Sequence, residues 1–188
     1  SGRSYTAIRD MTATEKPDWV DICSPPECHV AHVREALDAG CNVLCEKPFL
    51  FAANMTAAEL LEAADSLLRK AETAKLSIGL CSQYVVVAAS CARLLTAVKP
   101  GAAITEIRGE LASPARDRLL DPMATWIDLG PHLVAAVQAI APAGAMELCR
   151  LTTSFSPNHA SCSFRVARAK LPPLTCHLHA FRTEGEPS

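Results

Sequence analysis

Glycine-rich turns are what this chain most obviously lacks. Its eight glycines never fall as G-x-G, so no backbone loop of that kind is available to cradle a phosphate. Aromatic residues are scarce, at 5%. No apolar run approaches the roughly 20 residues that a membrane-spanning helix needs, and the opening SGRSYTAIRD is too polar for a secretory leader. Neither sign of charge dominates: 18 Lys and Arg stand against 20 Asp and Glu. Without a basic excess there is no electrostatic reason to expect nucleic acid or an anionic membrane surface as partner.

Cysteine, by contrast, is plentiful. The nine cysteines contain no C-x-x-C and no paired zinc spacing. Several lie inside apolar runs such as VDICS and NVLCE, where a reduced thiol acts as a small hydrophobe. An odd number also fits poorly with a full disulfide framework, so the expectation is a soluble protein of a reducing, cytoplasmic compartment. Cys176-His177-x-His179 is the one cluster with metal-ligand chemistry. Cys176 and His179 are expected on one face of a strand with His177 on the other, too few ligands for a site, so no metal is expected.

The apolar periodicity is that of an α/β chain. Asp18–Cys23 reads as a strand stopped by Ser24-Pro25-Pro26. His29–Ala39 reads as a helix, with Gly40 where a left-handed cap belongs. Asn42–Cys45 is a second strand, a long helix runs from about Asn54 to Ala74, and Leu76–Cys81 is a third strand. This alternation predicts parallel βαβ units, whose ligands sit at the carboxyl ends of strands. Ser24-Pro25-Pro26, Glu46-Lys47-Pro48 and Ser82-Gln83 all fall there.

After Gln83 the texture changes. Helices are expected over Val87–Val98 and Thr125–Ile140, the latter interrupted early by Gly130-Pro131. Strands are expected over Ile104–Leu111, Met146–Phe155, Ser161–Ala169 and Leu174–Phe181. The expected architecture is a partial Rossmann-like parallel sheet (residues 1–82), followed by a shortened α+β domain with a mainly antiparallel sheet (residues 83–188).

Five residue types at these positions could carry chemistry. A lysine at a strand end, Lys47, can stabilise an alkoxide-like oxygen. His132, titrating near neutrality, can take a hydroxyl proton. Asp128, four residues earlier, shares a helix face with it and can orient a hydroxyl or the imidazole. Ser24 and His29 can either meet a ligand or cap the following helix, and Gln83 is either a ligand contact or a solvated turn residue.

The run Val20-Asp21-Ile22-Cys23-Ser24-Pro25-Pro26-x-x-His29, then Ala36-Leu37-x-Ala39-Gly40-x-x-Val43-Leu44-Cys45-Glu46-Lys47-Pro48, resembles the glucose–fructose oxidoreductase / inositol dehydrogenase / rhizopine-catabolism (Gfo/Idh/MocA) family. The likeness continues at Gln83 and at Asp128-x-Gly130-x-His132. It implies an NAD- or NADP-dependent oxidoreductase acting on a secondary alcohol or carbonyl of a sugar or cyclitol. It also implies Lys47, Asp128 and His132 as catalytic groups, with Ser24, Pro25, Pro26, His29, Glu46, Lys47, Pro48 and Gln83 on the cofactor side. Relatives often associate through the outer face of the antiparallel sheet, so a homo-oligomer is a further expectation.

Two departures stand out. Pro131 sits between Gly130 and His132 and constrains the backbone there. The G-x-G-x-x-G unit of relatives has no counterpart, and the chain resembles one that starts just before the fourth strand of a six-strand sheet. That makes Trp19–Cys23 an unpaired apolar edge. Weak or absent NAD(P) binding by these 188 residues is expected. The alternative reading is a non-catalytic scaffold or binding protein derived from the family.

Overall fold

In the computed structural model, residues 2–115 and 120–183 are described. The expected spans 1–82 and 83–188 therefore include some positions outside the described residues. The chain divides into two compact units, Ser1–Cys81 and Ser82–Ser188.

The first unit contains helix α1 (Ile8–Glu15), strand β1 (Trp19–Ile22), helix α2 (His29–Asp38), strand β2 (Asn42–Glu46), helix α3 (Ala57–Ala74) and strand β3 (Ile78–Cys81). The strands run parallel in the order β1-β2-β3. Val20, Ile22, Val43 and Cys45 point from the sheet into one core with Val33, Ala36 and Leu37 of α2 and Leu67 and Ala71 of α3. Among the described residues β1 pairs with β2 alone, and Trp19 on this edge is 53% exposed.

Local chemistry sets the element ends. Asn42 clamps two strand entries: its amide donates to the Asp18 carbonyl and its side-chain oxygen accepts from the Ser77 N–H, both at 2.8 Å. Gly40 adopts φ +79°, as its capping position requires. The long helix starts at Ala57, not near Asn54. Thr56 and Glu59 form a reciprocal capping box there, and those bonds lower the Glu59 carboxyl below its ordinary range. Helix α1 was not expected from the polar start; Ile8 and Met11 give it just enough apolar surface to pack on the core.

The second unit contains α4 (Gln83–Val98), β4 (Glu106–Pro114), α5 (Pro122–Ile140), β5 (Ala145–Met146), β6 (Thr152–Ser156), β7 (His159–Ala167) and β8 (Leu174–Thr183). The sheet order is β4-β8-β7-β5, with β6 also on β7. Pairing is antiparallel except between β4 and β8, which run parallel. Leu133, Val137 and Ala141 of α5 pack on Cys162, Phe164 and Val166 of β7 and on Leu174, Cys176 and Leu178 of β8.

Three expectations need correction here. The single strand Met146–Phe155 is split by a helical turn at Leu148–Arg150. The Glu147 N–H bonds the Arg165 carbonyl at 2.8 Å, and its carboxylate faces Arg150 and Arg165, so polar contacts turn the chain. Helix α5 runs through Gly130-Pro131 without interruption. Packing of its inner face on β7 and β8 outweighs the one hydrogen bond that proline removes. Finally, His177 and His179 share the outer face of β8 while Cys176 is buried on the inner one. A pleat of period two joins residues two apart, not three.

Candidate functional site

In the first unit the sequence-predicted residues gather at one end of the parallel sheet. Ile22 lies opposite Cys45, so the turns leaving β1 and β2 are neighbours. Ser24, Pro25 and Pro26 form the first turn; Lys47 and Pro48 form the second, joined by a cis peptide bond. Glu46 ends β2, and its carboxylate accepts from the Lys47 N–H at 3.2 Å. Ser24 and Lys47 are half-buried, and Pro25 is exposed.

His29 fastens the two turns together. Its Nε2 lies 2.9 Å from the Ser24 carbonyl, and Nδ1 lies 2.9 Å from that of Pro48 and 3.2 Å from that of Phe49. The ring is fully buried. Expected at the cofactor, His29 thus has both nitrogens turned to backbone oxygens of its own chain, behind the turns. The Ser24 hydroxyl is 2.9 Å from His32 Nδ1.

Two thiols flank Glu46. Cys81, opposite it on β3, hydrogen-bonds its carboxylate, and that bond pushes the thiol up from its ordinary value. Burial, with Asp21 second, does the same to Cys23. Both shifts favour the neutral thiol over the thiolate.

In the second unit Gln83 is exposed and opens α4. Asp128 and His132 sit one turn apart on the continuous α5. Tyr84 of α4 lies against His132, ring centroids 5.1 Å apart and tilted by 53°. Asp128 accepts a 2.6 Å hydrogen bond from Arg182 Nη2 on β8, and Arg182 is only 6% exposed. Sequence reasoning missed Arg182. The available signal was a cation at an inward position of the alternating run Leu174, Cys176, Leu178, Ala180, Arg182, where burial demands a partner.

Among the described residues no group of three or more His, Cys, Asp or Glu is placed to hold a metal ion, and no helix is long and apolar enough to cross a membrane. All nine cysteines are free thiols.

Residues 1–76 match the model of the Gfo/Idh/MocA oxidoreductase family, described as an NAD-binding Rossmann fold. The match lies within the first unit, Ser1–Cys81. The D-glucoside 3-dehydrogenase of Escherichia coli K12 is 53% identical over 38 residues, covering 20% of this chain and 11% of that protein. Similarity of fold extends further. The UDP-N-acetylglucosamine 3-dehydrogenase of Acidithiobacillus ferrooxidans superposes with a TM-score of 0.72 at 21% identity, over 98% of this chain and 56% of its own. An inositol dehydrogenase homologue of Azotobacter vinelandii, complexed with NADH and myo-inositol, gives 0.69 at 19% identity, over 93% and 47%. The chain spans about half the length of these two solved structures.

Proposed function

We propose that the chain serves as an NAD(P)-dependent oxidoreductase of a sugar- or cyclitol-like secondary alcohol or its carbonyl. One observation carries this reading. Lys47 leaves the carboxyl end of a parallel strand in a turn that His29 fastens to the Ser24 turn of the neighbouring strand. Such strand ends are where open α/β sheets hold their ligands. A relative of similar fold solved with myo-inositol supports a polyol as the substrate class.

The residues present fit the nicotinamide–ribose part of the cofactor and not its pyrophosphate, for which the chain offers no glycine-rich turn. When bound, the nicotinamide accepts or returns a hydride. Ser24, Pro25, Pro26, Glu46, Pro48 and Gln83 are assigned to the cofactor side, and His29 supports two of these turns from within. Asp128 accepts a hydrogen bond from the substrate hydroxyl and sets its direction. His132 takes the hydroxyl proton as the carbon gives up its hydride and the carbon–oxygen bond becomes double. In the first unit, the Lys47 ammonium is the group suited to balance negative charge building on a substrate oxygen.

The test is hydride transfer followed at 340 nm, with cyclitols and hexoses offered at millimolar NAD+ or NADP+. Turnover that Lys47→Met severely reduces is expected, together with millimolar or weaker cofactor affinity in calorimetry. A second reading, the non-catalytic scaffold, is favoured by the open β1 edge and its exposed Trp19. It predicts no turnover, with self-association that Trp19→Lys reverses.

A further inference from the structure

We infer that Arg182 is a positioning residue for Asp128: it fixes that carboxylate on the face of α5 that also carries His132. The inference rests on the reading of Asp128 and His132 as substrate-handling groups, and it adds a residue that neither motif nor spacing assigns.

The geometry is that of a built contact. Arg182 Nη2 donates to Asp128 Oδ2 at 2.6 Å, a charge-assisted bond at the short end of its range. The guanidinium side chain is 6% exposed and the carboxylate side chain 35%, so solvent screens the pair poorly from the arginine side. Arg182 is itself anchored, because its N–H donates to the Asn158 carbonyl at 2.8 Å and its strand pairs with β4 and β7 on both sides. The rigid element is the sheet; the helix presents Asp128 to it.

Charge makes this more than a structural tie. Asp128 and His132 are one helical turn apart, within reach of each other's field. Among the described residues, the other titratable groups on the elements packed against α5 are placed as follows. Inward from β8 come Arg182 and Cys176, and from β7 Cys162; burial pushes both thiols up to about 11, so they stay neutral. Tyr84 touches His132 from α4, where Arg93 is exposed. On β4 the inward positions are Ile107, Gly109 and Leu111, with Glu106, Arg108 and Glu110 on the exposed face. The N-cap Asp121 is exposed at the helix start. A guanidinium on Asp128 offsets the carboxylate's pull on the imidazole.

The experiment follows the His132 ring resonance through a pH titration by NMR, assigned with His132→Asn. In Arg182→Met the carboxylate loses this guanidinium and favours the imidazolium more strongly, so the midpoint rises, on the order of half a pH unit. Arg182→Lys, which keeps the charge, returns the midpoint towards that of the parent chain. Asp128→Asn added to Arg182→Met removes the rise. Arg182→Gln, which retains a hydrogen-bond donor, carries the same test if Arg182→Met does not fold. An unmoved midpoint in a folded Arg182 variant overturns the inference. Absence of turnover in the unmodified chain sinks the dehydrogenase reading instead, and the His132 midpoint still decides the role of Arg182.

Discussion

The imidazole of His29 lies 2.9 Å from the Pro48 carbonyl oxygen, and through its other nitrogen it reaches the turn of the preceding strand. A fully buried side chain thus sets the spacing between the Ser24 turn and the Lys47 turn. Replacing it with phenylalanine keeps the volume but leaves buried carbonyl oxygens unsatisfied, at about 1–3 kcal/mol for each lost contact. His29→Phe is therefore expected to lower the urea midpoint clearly and to reduce turnover. An unchanged midpoint would show that the two turns hold themselves.

Lys47 is expected to act through its charge. Lys47→Met should reduce kcat by roughly 100- to 1,000-fold, the usual loss when one electrostatic stabiliser of a developing oxyanion is removed. The far-ultraviolet circular dichroism should stay the same. Normal turnover by the variant refutes the assignment.

The buried thiols make stability depend on pH at the alkaline end. Burial, with Glu46 second, pushes Cys45 up to about 12 from an ordinary 9.0; burial alone pushes Cys162 up to about 11 and, as the largest cause, does the same for Cys176. Between those values the unfolded chain has released protons that the folded chain retains. Their contribution is fully present below about pH 9 and is lost as pH rises towards 11–12. Urea midpoints should fall steadily across that window, and less steeply in Cys45→Ala. A flat profile there contradicts the burial of these groups.

Gly130→Ala sets two effects against each other. Alanine is favoured over glycine inside a helix by about 1 kcal/mol. A Cβ at this position, however, would lie 2.7 Å from two ring carbons of Trp126, and overpacking of that kind costs about 1–3 kcal/mol. The net expectation is a lower melting temperature. A rise would mean that the indole swings aside freely.

Much of the first unit was legible because its cues are local. Two prolines after Ile22, Gly40 after the α2 stripe and Pro48 after Glu46 each mark a boundary through their own backbone restrictions. The helix start at Ala57 was misplaced although its cue, Thr56 with Glu59, is also local; an apolar count cannot see a capping box. In the second unit the split at Leu148–Arg150 escaped notice. It depends on Arg165, distant in sequence, drawing Glu147 out of line. The continuity of α5 was hidden for a similar reason, since a proline inside a helix is tolerated only when packing elsewhere compensates.

The sequence by itself determined the alternation of strands and helices, the strand-end positions of Ser24 and Lys47, and the one-turn spacing of Asp128 and His132. Periodicity and backbone restriction act over a few residues and need nothing else. Only the tertiary structure decided that His29 faces Ser24, Pro48 and Phe49, and that Arg182 holds Asp128 across 54 positions of chain. A buried polar group must find a partner wherever folding puts one, and that choice is made by contacts that no local pattern encodes.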